Sequence, residues 1–216
     1  MDQENSKLTT GDSYNAWAAS YDSMVNKTRD LEGEVLRKTF LNPHYGNILE
    51  LGCGTGKNTG WLSEKADFVT AIDLSPKMIG KAKEKIKAEN VHFKEANITE
   101  DWPVKPGWAN LVTSSLVLEH VEDLDFIFAE AARALKRNGK FYICELHPGR
   151  QYSGSRANFE TKEGIHTPPA FTHHLSDFLY AAKANKFKLL DLNEHFDEDD
   201  RKNVPRLLSL VFESGI

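Results

Sequence analysis

Residues 48–59 read ILELGCGTGKNT: an apolar run, Ile48 to Leu51, passes directly into glycines at 52, 54 and 56 and then a lysine. An apolar run ending in alternate glycines is how a buried strand meets a ligand at the carboxyl edge of an open parallel sheet, because glycine lets the backbone approach without a Cβ in the way. The spacing separates the candidate ligands. A phosphate-cradling P-loop needs GxxxxGK followed by Ser or Thr; here Leu51 stands where its first glycine belongs and Asn58 follows Lys57. A dinucleotide loop needs GxGxxG above its pyrophosphate, and Gly56 arrives one residue early. Lys57 therefore reads as the start of a helix rather than as a phosphate ligand.

Outward from this stretch, strand-like and helix-like segments alternate. Strands are expected at 47–51, 67–73, 91–95, 109–115, 140–146, 187–193 and 206–212, all rich in Val, Ile, Leu and Phe. A helix begins at LSPKMIGKAKEKI, where Ser75 can cap, Pro76 suits the first turn, and Ile79, Ala82 and Ile86 share a face. Another spans 124–137, with Leu124, Ile127, Phe128, Ala131 and Leu135 on one stripe before a stop at Asn138-Gly139, and Leu175, Phe178, Leu179 and Ala182 mark a third. This repetition predicts an α/β fold, a doubly wound, mostly parallel seven-stranded sheet with helices on both faces. The last two strands are joined by EHFDEDDRKNVPR, which has no helical stripe and suits a return into an antiparallel final strand. Two segments stand outside the repeat: an N-terminal helical lid over 10–41, and a connection over 147–173 rich in Gly, Pro, Ser and His. The whole of 1–216 reads as one domain.

Composition limits the partners. Hydrophobic content of 40% and charged content of 27% are those of a soluble globular chain, and the net charge is −5. KAKEKIK is a solvated helix face, so a basic stripe for nucleic acid is lacking. The polar start MDQENSKLTT has no signal-peptide core, and no run is long enough to span a membrane. Cys53 and Cys144 are far apart and read as reduced thiols of a cytoplasmic protein; Asn97 in NIT is then no glycosylation site.

An acid at the end of the first strand, GxGxG after it, and AIDLS closing the second strand form a more specific combination: Glu50, Gly52, Gly54, Gly56 and Asp73. A carboxylate placed as Asp73 is can accept hydrogen bonds from both hydroxyls of a ribose. At these residues the chain resembles the class I S-adenosylmethionine-dependent methyltransferases, particularly the small-molecule UbiE/BioC-like group, over about 14–146 by motif and beyond by strand–helix order. The resemblance implies a Rossmann-like fold with S-adenosyl-L-methionine as donor and S-adenosyl-L-homocysteine as product. Glu50 is implied near the ligand ammonium, Leu74 and Met78 on the adenine, Asn97 facing its amino group and Ile98 beneath the ring. Ser114 and Ser115 are implied beside the methionine moiety. In SYNAWAASYDSM, Tyr14, Trp17 and Tyr21 fall on one helical face, and Tyr14 and Tyr21 are implied at the cofactor; Arg29 is expected to pair with its carboxylate.

Two departures from family patterns matter. No [DNS]PPY motif of base-modifying amino methyltransferases follows the fourth strand. The metal-binding ExxEH pattern is reduced to LVLEH, with Leu116 in place of its first acid, so Glu119 and His120 read as helix-start and packing residues and no metal site is expected. The acceptor is expected under the 147–173 connection, which carries His147, Arg150, Tyr152, His166 and His173, with His174 just beyond. His147, at a strand's carboxyl end, is the leading general base; Arg150 can meet an acceptor carboxylate; Tyr152 and His173 complete the catalytic candidates. The expected function is methyl transfer to a small-molecule acceptor by a monomer or homodimer. A non-catalytic S-adenosylmethionine-binding protein and an NAD(P)-dependent oxidoreductase are the alternatives.

Overall fold

The computed structural model describes residues 8–161, 164–197 and 201–215, with residues 159–161 and 164–166 described as backbone only. Seven strands form one sheet: β1 Tyr45–Leu51, β2 Ala66–Asp73, β3 Val91–Glu95, β4 Ala109–Ser115, β5 Leu135–Leu146, β8 Phe187–His195 and β9 Leu207–Ser214. Their order is β3-β2-β1-β4-β5-β9-β8. Every pairing is parallel except those of β9, which runs antiparallel to both β5 and β8. The doubly wound sheet with its antiparallel last strand is thus the one the sequence predicts. Strand order reverses at β1 and β4, and the glycine loop leaves β1 at that switch point.

The helices cover both faces. On one, α5 (Leu124–Ala134) and α7 (Leu175–Ala184) bury Phe128 and Phe178 against the sheet. The Phe128 ring lies 5.2 to 5.7 Å, centroid to centroid, from those of Phe141, Phe212 and Phe187. On the other, α2 (Lys27–Thr39) and α3 (Thr59–Ser63) bury Val35, Leu36 and Leu62 with Tyr142 and Phe40. The helix α4 (Pro76–Lys85) starts as its sequence predicts: Ser75 Oγ accepts from the Met78 amide at 3.1 Å, with Pro76 in the first turn. Among the described residues no helix is long and apolar enough to cross a membrane.

Three local expectations are corrected. The helix expected over 124–137 stops at Ala134, because Leu135 turns extended (ψ 145°) and enters β5. Asn138-Gly139 then lies inside that strand, with Asn138 at φ 59°, where β4 and β5 slip register. The tyrosine–tryptophan face is not one helix: α1 spans Thr10–Trp17 and Tyr21 sits in a separate 3₁₀ turn, Tyr21–Ser23. The rings cluster nonetheless, with centroids 5.8 Å apart for Tyr14–Trp17 and 4.9 Å for Trp17–Tyr21. The 147–173 connection holds a one-turn helix, α6 (Pro148–Tyr152), and a hairpin of β6 (Phe159–Thr161) and β7 (Gly164–His166).

Candidate active site

A cavity of about 370 Å³ opens where the carboxyl ends of β1, β2 and β4 meet the N-terminal cap. Its floor is the glycine loop. Gly52, Gly54 and Gly56 all adopt left-handed backbone, at φ of 64°, 53° and 81°, which glycine alone tolerates routinely. They differ in what surrounds them. A Cβ on Gly54 would meet nothing within 4 Å, so its bare backbone faces open space. One on Gly56 would sit 2.7 Å from Ile86 Cδ1, so Gly56 allows α4 to pack close and does not line the cavity.

The loop is fixed by Asp73. Its Oδ2 accepts from the Gly54 amide and its Oδ1 from the Ser75 amide, both at 2.8 Å. A carboxylate has about four acceptor positions, so each oxygen keeps capacity for a further donor. Burial raises the Asp73 pKa, opposed by these amide bonds. Glu50 lies on the neighbouring strand β1, opposite Ala71 of β2; it is 5% exposed and accepts from Thr59 Oγ1 at 2.6 Å. Burial pushes its carboxyl up to about 8, with the negative charges of Glu32 and Asp73 adding to the shift.

The cap closes the opposite wall. Tyr14 and Tyr21 line the cavity, and burial raises both phenols. Tyr14 Oη lies 2.8 Å from His120 Nε2, and His120 Nδ1 lies 2.6 Å from the Pro169 carbonyl. A carbonyl only accepts, so Nδ1 carries the proton; in the neutral ring Nε2 then accepts from the Tyr14 hydroxyl. The Arg29 guanidinium donates to the carbonyls of Tyr21 (2.8 Å) and Met24 (3.0 Å) and stacks 4.1 Å above the Tyr21 ring centroid. Lys57 donates to the Arg29 carbonyl at 2.6 Å and to Asp30 at 2.7 Å, latching the glycine loop to α2. Glu32, 3% exposed, projects from α2 into the same wall and accepts from Asn58 Nδ2 at 2.9 Å.

Eleven of the residues singled out in the sequence for the cofactor line this cavity: Tyr14, Tyr21, Arg29, Glu50, Gly52, Gly54, Asp73, Leu74, Asn97, Ile98 and Ser115. Three do not. Gly56 is accounted for above. Met78 is fully buried beneath Trp17 and Ala18, supporting the cap. Ser114 fails because neighbouring strand residues point to opposite faces: Thr113 and Ser115 line the cavity and Ser114 faces away. The sequence reading missed Thr113, Glu32, Asn58 and His120. Glu32 had a signal, since it lies three and four residues before Val35 and Leu36 on the buried face of α2. His120 was read as packing.

The acceptor-side candidates do not reach the cavity. His147 Nδ1 accepts from the Gly149 amide at 3.1 Å, leaving Nε2 to donate to Glu194 at 3.2 Å. Arg150 donates to Asp197 at 2.9 Å and to the Pro205 carbonyl at 3.1 Å, while Arg206 joins Asp197 to Thr28. Tyr152 is exposed and meets His174 Nδ1 at 2.7 Å. His173 donates to the Val121 carbonyl at 2.7 Å and pins the connection to the turn after β4. The side chain of His166 lies outside the described residues.

Comparison with known proteins gives a consistent picture. The family described as "Methyltransferase domain" matches residues 49–143. An uncharacterized methyltransferase of Emericella nidulans is 26% identical over 94% of this chain and 84% of its own. A ubiquinone biosynthesis O-methyltransferase of Xanthomonas euvesicatoria is 30% identical; the match covers 63% of this chain and just 57% of that relative. A crystal structure of an S-adenosylmethionine-dependent methyltransferase from Listeria monocytogenes, described as putative, superposes with a TM-score of 0.72 over 86% of this chain and 99% of its own. At 22% identity that likeness establishes the fold.

Proposed function

We propose that this chain, which matches a methyltransferase domain over residues 49–143 and has the class I fold, is an S-adenosylmethionine-dependent methyltransferase that methylates a small-molecule acceptor at an atom that gives up a proton, an oxygen acid first. The observation that carries the reading is the single cavity shared by the glycine loop, Asp73, Glu50 and the cap. Its volume falls in the range of small-ligand pockets. Its polar atoms suit the donor. Asp73 retains acceptor capacity for ribose hydroxyls. Arg29 Nε, Glu32 Oε1 and Asn58 Oδ1 are buried without hydrogen-bond partners among the described residues, and such groups are costly to leave unmet. A zwitterionic amino-acid tail answers them, its carboxylate toward Arg29 and its ammonium toward Glu32, Glu50 and Asn58.

When bound, the sulfonium supplies a methyl carbon already activated for in-line displacement. The chain's share is then positioning, exclusion of water and removal of one proton. Tyr14, Tyr21 and Arg29 cover the cavity; the raised phenols stay protonated and act as donors. His120, with its tautomer held by Pro169, accepts the Tyr14 hydroxyl at Nε2, so the acceptor's proton passes to the Tyr14 oxygen as the Tyr14 proton moves to Nε2. That makes His120 the proton acceptor, in place of the histidines of the connection. The name of the Xanthomonas relative, an O-methyltransferase, supports an oxygen acceptor.

The test is transfer of labelled methyl from S-adenosylmethionine to a panel of phenols, quinols and small carbon acids. Label is expected in a phenolic or enolic product, and His120→Gln should lower turnover about tenfold to a hundredfold with donor affinity kept. Tight donor binding with no transfer to any member would instead support a non-catalytic role.

A further inference from the structure

The wall between the cap and the glycine loop holds more acid than a neutral nucleoside requires. Glu32 comes from α2 and Glu50 from the end of β1, and both line the cavity at 3% and 5% exposure. Each has one fixed donor, Asn58 Nδ2 for Glu32 and Thr59 Oγ1 for Glu50. Among the described residues the second Glu32 oxygen, Oε1, has no partner of proper geometry, although the Ser115 hydroxyl is close by, and Asn58 Oδ1 is equally unmet. No cation among the described residues is paired with either acid: Lys57 is engaged with Asp30 and the Arg29 carbonyl.

We propose that Glu32 and Glu50 form a two-carboxyl receptor for the ammonium of the donor's amino-acid tail, and that the tail's arrival drives a proton from this pair into solvent. This rests on the proposed donor site and assigns one end of it. Two buried acids lining one cavity, near enough for the charge of one to raise the other, cannot both ionise cheaply. Entry of an ammonium reverses that, because a cation at the pair favours both carboxylates. The proton balance is simple: one acid O–H bond breaks, the carboxylate pairs with the ammonium, and buffer takes the proton.

Burial is the largest influence on both acids, and their neighbours divide. Around Glu32, burial raises the carboxyl, while Ser115, Asn58, Lys57 and Arg37 oppose the shift. Glu145, at the end of β5, is itself buried and raised to about 8, and Cys144 and Tyr142 of the same strand are held neutral. Around Glu50 stand Thr59, Glu32 and Asp73, with Cys53 a neutral thiol. Tail recognition is thereby shared between the cap, through Glu32 on α2, and the sheet, through Glu50 on β1.

Calorimetry near pH 7, in phosphate and in a buffer of high ionisation enthalpy, counts the protons. S-adenosylhomocysteine is expected to release about one proton per molecule bound, and methylthioadenosine, which lacks the amino-acid tail, none. Glu32→Gln should cut that release and weaken S-adenosylhomocysteine about tenfold or more, leaving methylthioadenosine within about twofold. S-adenosylhomocysteine binding to the wild-type protein without proton release overturns the receptor alone. Equal weakening of both ligands by Glu32→Gln also overturns it, since that marks a structural role in the cap. Failure of both ligands to bind overturns the donor site itself.

Discussion

The cap over 8–41 and the connection over 147–173 both lie outside the strand–helix repeat, and both are rich in polar and aromatic residues. Their side chains have opposite fates. In the cap, Tyr14, Tyr21, Arg29 and Glu32 face a cavity, and two of them keep buried polar atoms without partners. In the connection, His147, Arg150, Tyr152 and His173 are matched by Glu194, Asp197, His174 and the Val121 carbonyl. Polar richness alone therefore does not mark a site. What distinguishes a ligand wall from a clasp is whether the polar groups are satisfied by the protein itself.

The contrast extends to charge, and the broadest expected effect is on stability against pH. The folded protein keeps Glu50 protonated up to about 8, against an ordinary value of 4.5. The unfolded chain binds fewer protons between those values, so this group's contribution to stability falls as pH rises from about 4.5 toward 8. Asp197 has the opposite sign. Arg206 and Arg150 lower its carboxyl below 3.8, so its contribution is present above that value and is lost as pH falls through the folded one. Thermal unfolding of the ligand-free protein should show Glu50→Gln flattening the slope between pH 5 and 8, and Asp197→Asn flattening the acid limb alone. Interchanged effects would break the distinction.

Next in size is Asp73→Ala, which should weaken S-adenosylhomocysteine by roughly 1.5 to 3 kcal/mol, the scale of charged hydrogen bonds. Calorimetry giving unchanged affinity in a folded variant would remove Asp73 from the ligand. Asp197→Ala sharpens the comparison from the other side. It should cost on the order of 1 to 2 kcal/mol of stability by freeing Arg150 and Arg206, with donor affinity within about twofold of the wild type; a loss of affinity would bring the clasp into the site. Smaller still is Tyr14→Phe, which removes the bond to His120. A two- to tenfold loss of donor affinity, about 0.5 to 1.5 kcal/mol, is expected by titration, and no loss would leave Tyr14 a packing residue.

The sheet, its switch point and the antiparallel last strand were legible because they follow from periodicity and connection length. Ser75 was legible as a cap because its chemistry is local. The glycine loop was legible in spacing, although the sequence did not separate Gly54, which faces the cavity, from Gly56, which faces Ile86. The choice between Ser114 and Ser115 was open to the alternation rule, given Glu50 opposite Thr113 in the register. Long-range partners were not legible. Nothing near Lys57 foretells Asp30, nothing near His120 foretells Pro169, and nothing in the histidines of the connection foretells that Glu194 and Val121 already hold them.

Hydrogen–deuterium exchange with and without S-adenosylhomocysteine tests the division between wall and clasp most directly, because protection reports where ligand binding suppresses local opening. Protection is expected in 10–33, in the glycine loop over 52–58 and at 73–75, with α6 and the strand ends that clasp it unchanged. Protection concentrated in 147–156 and 194–206, with the cap exchanging as before, would contradict the assignment of the donor to the cap-side cavity.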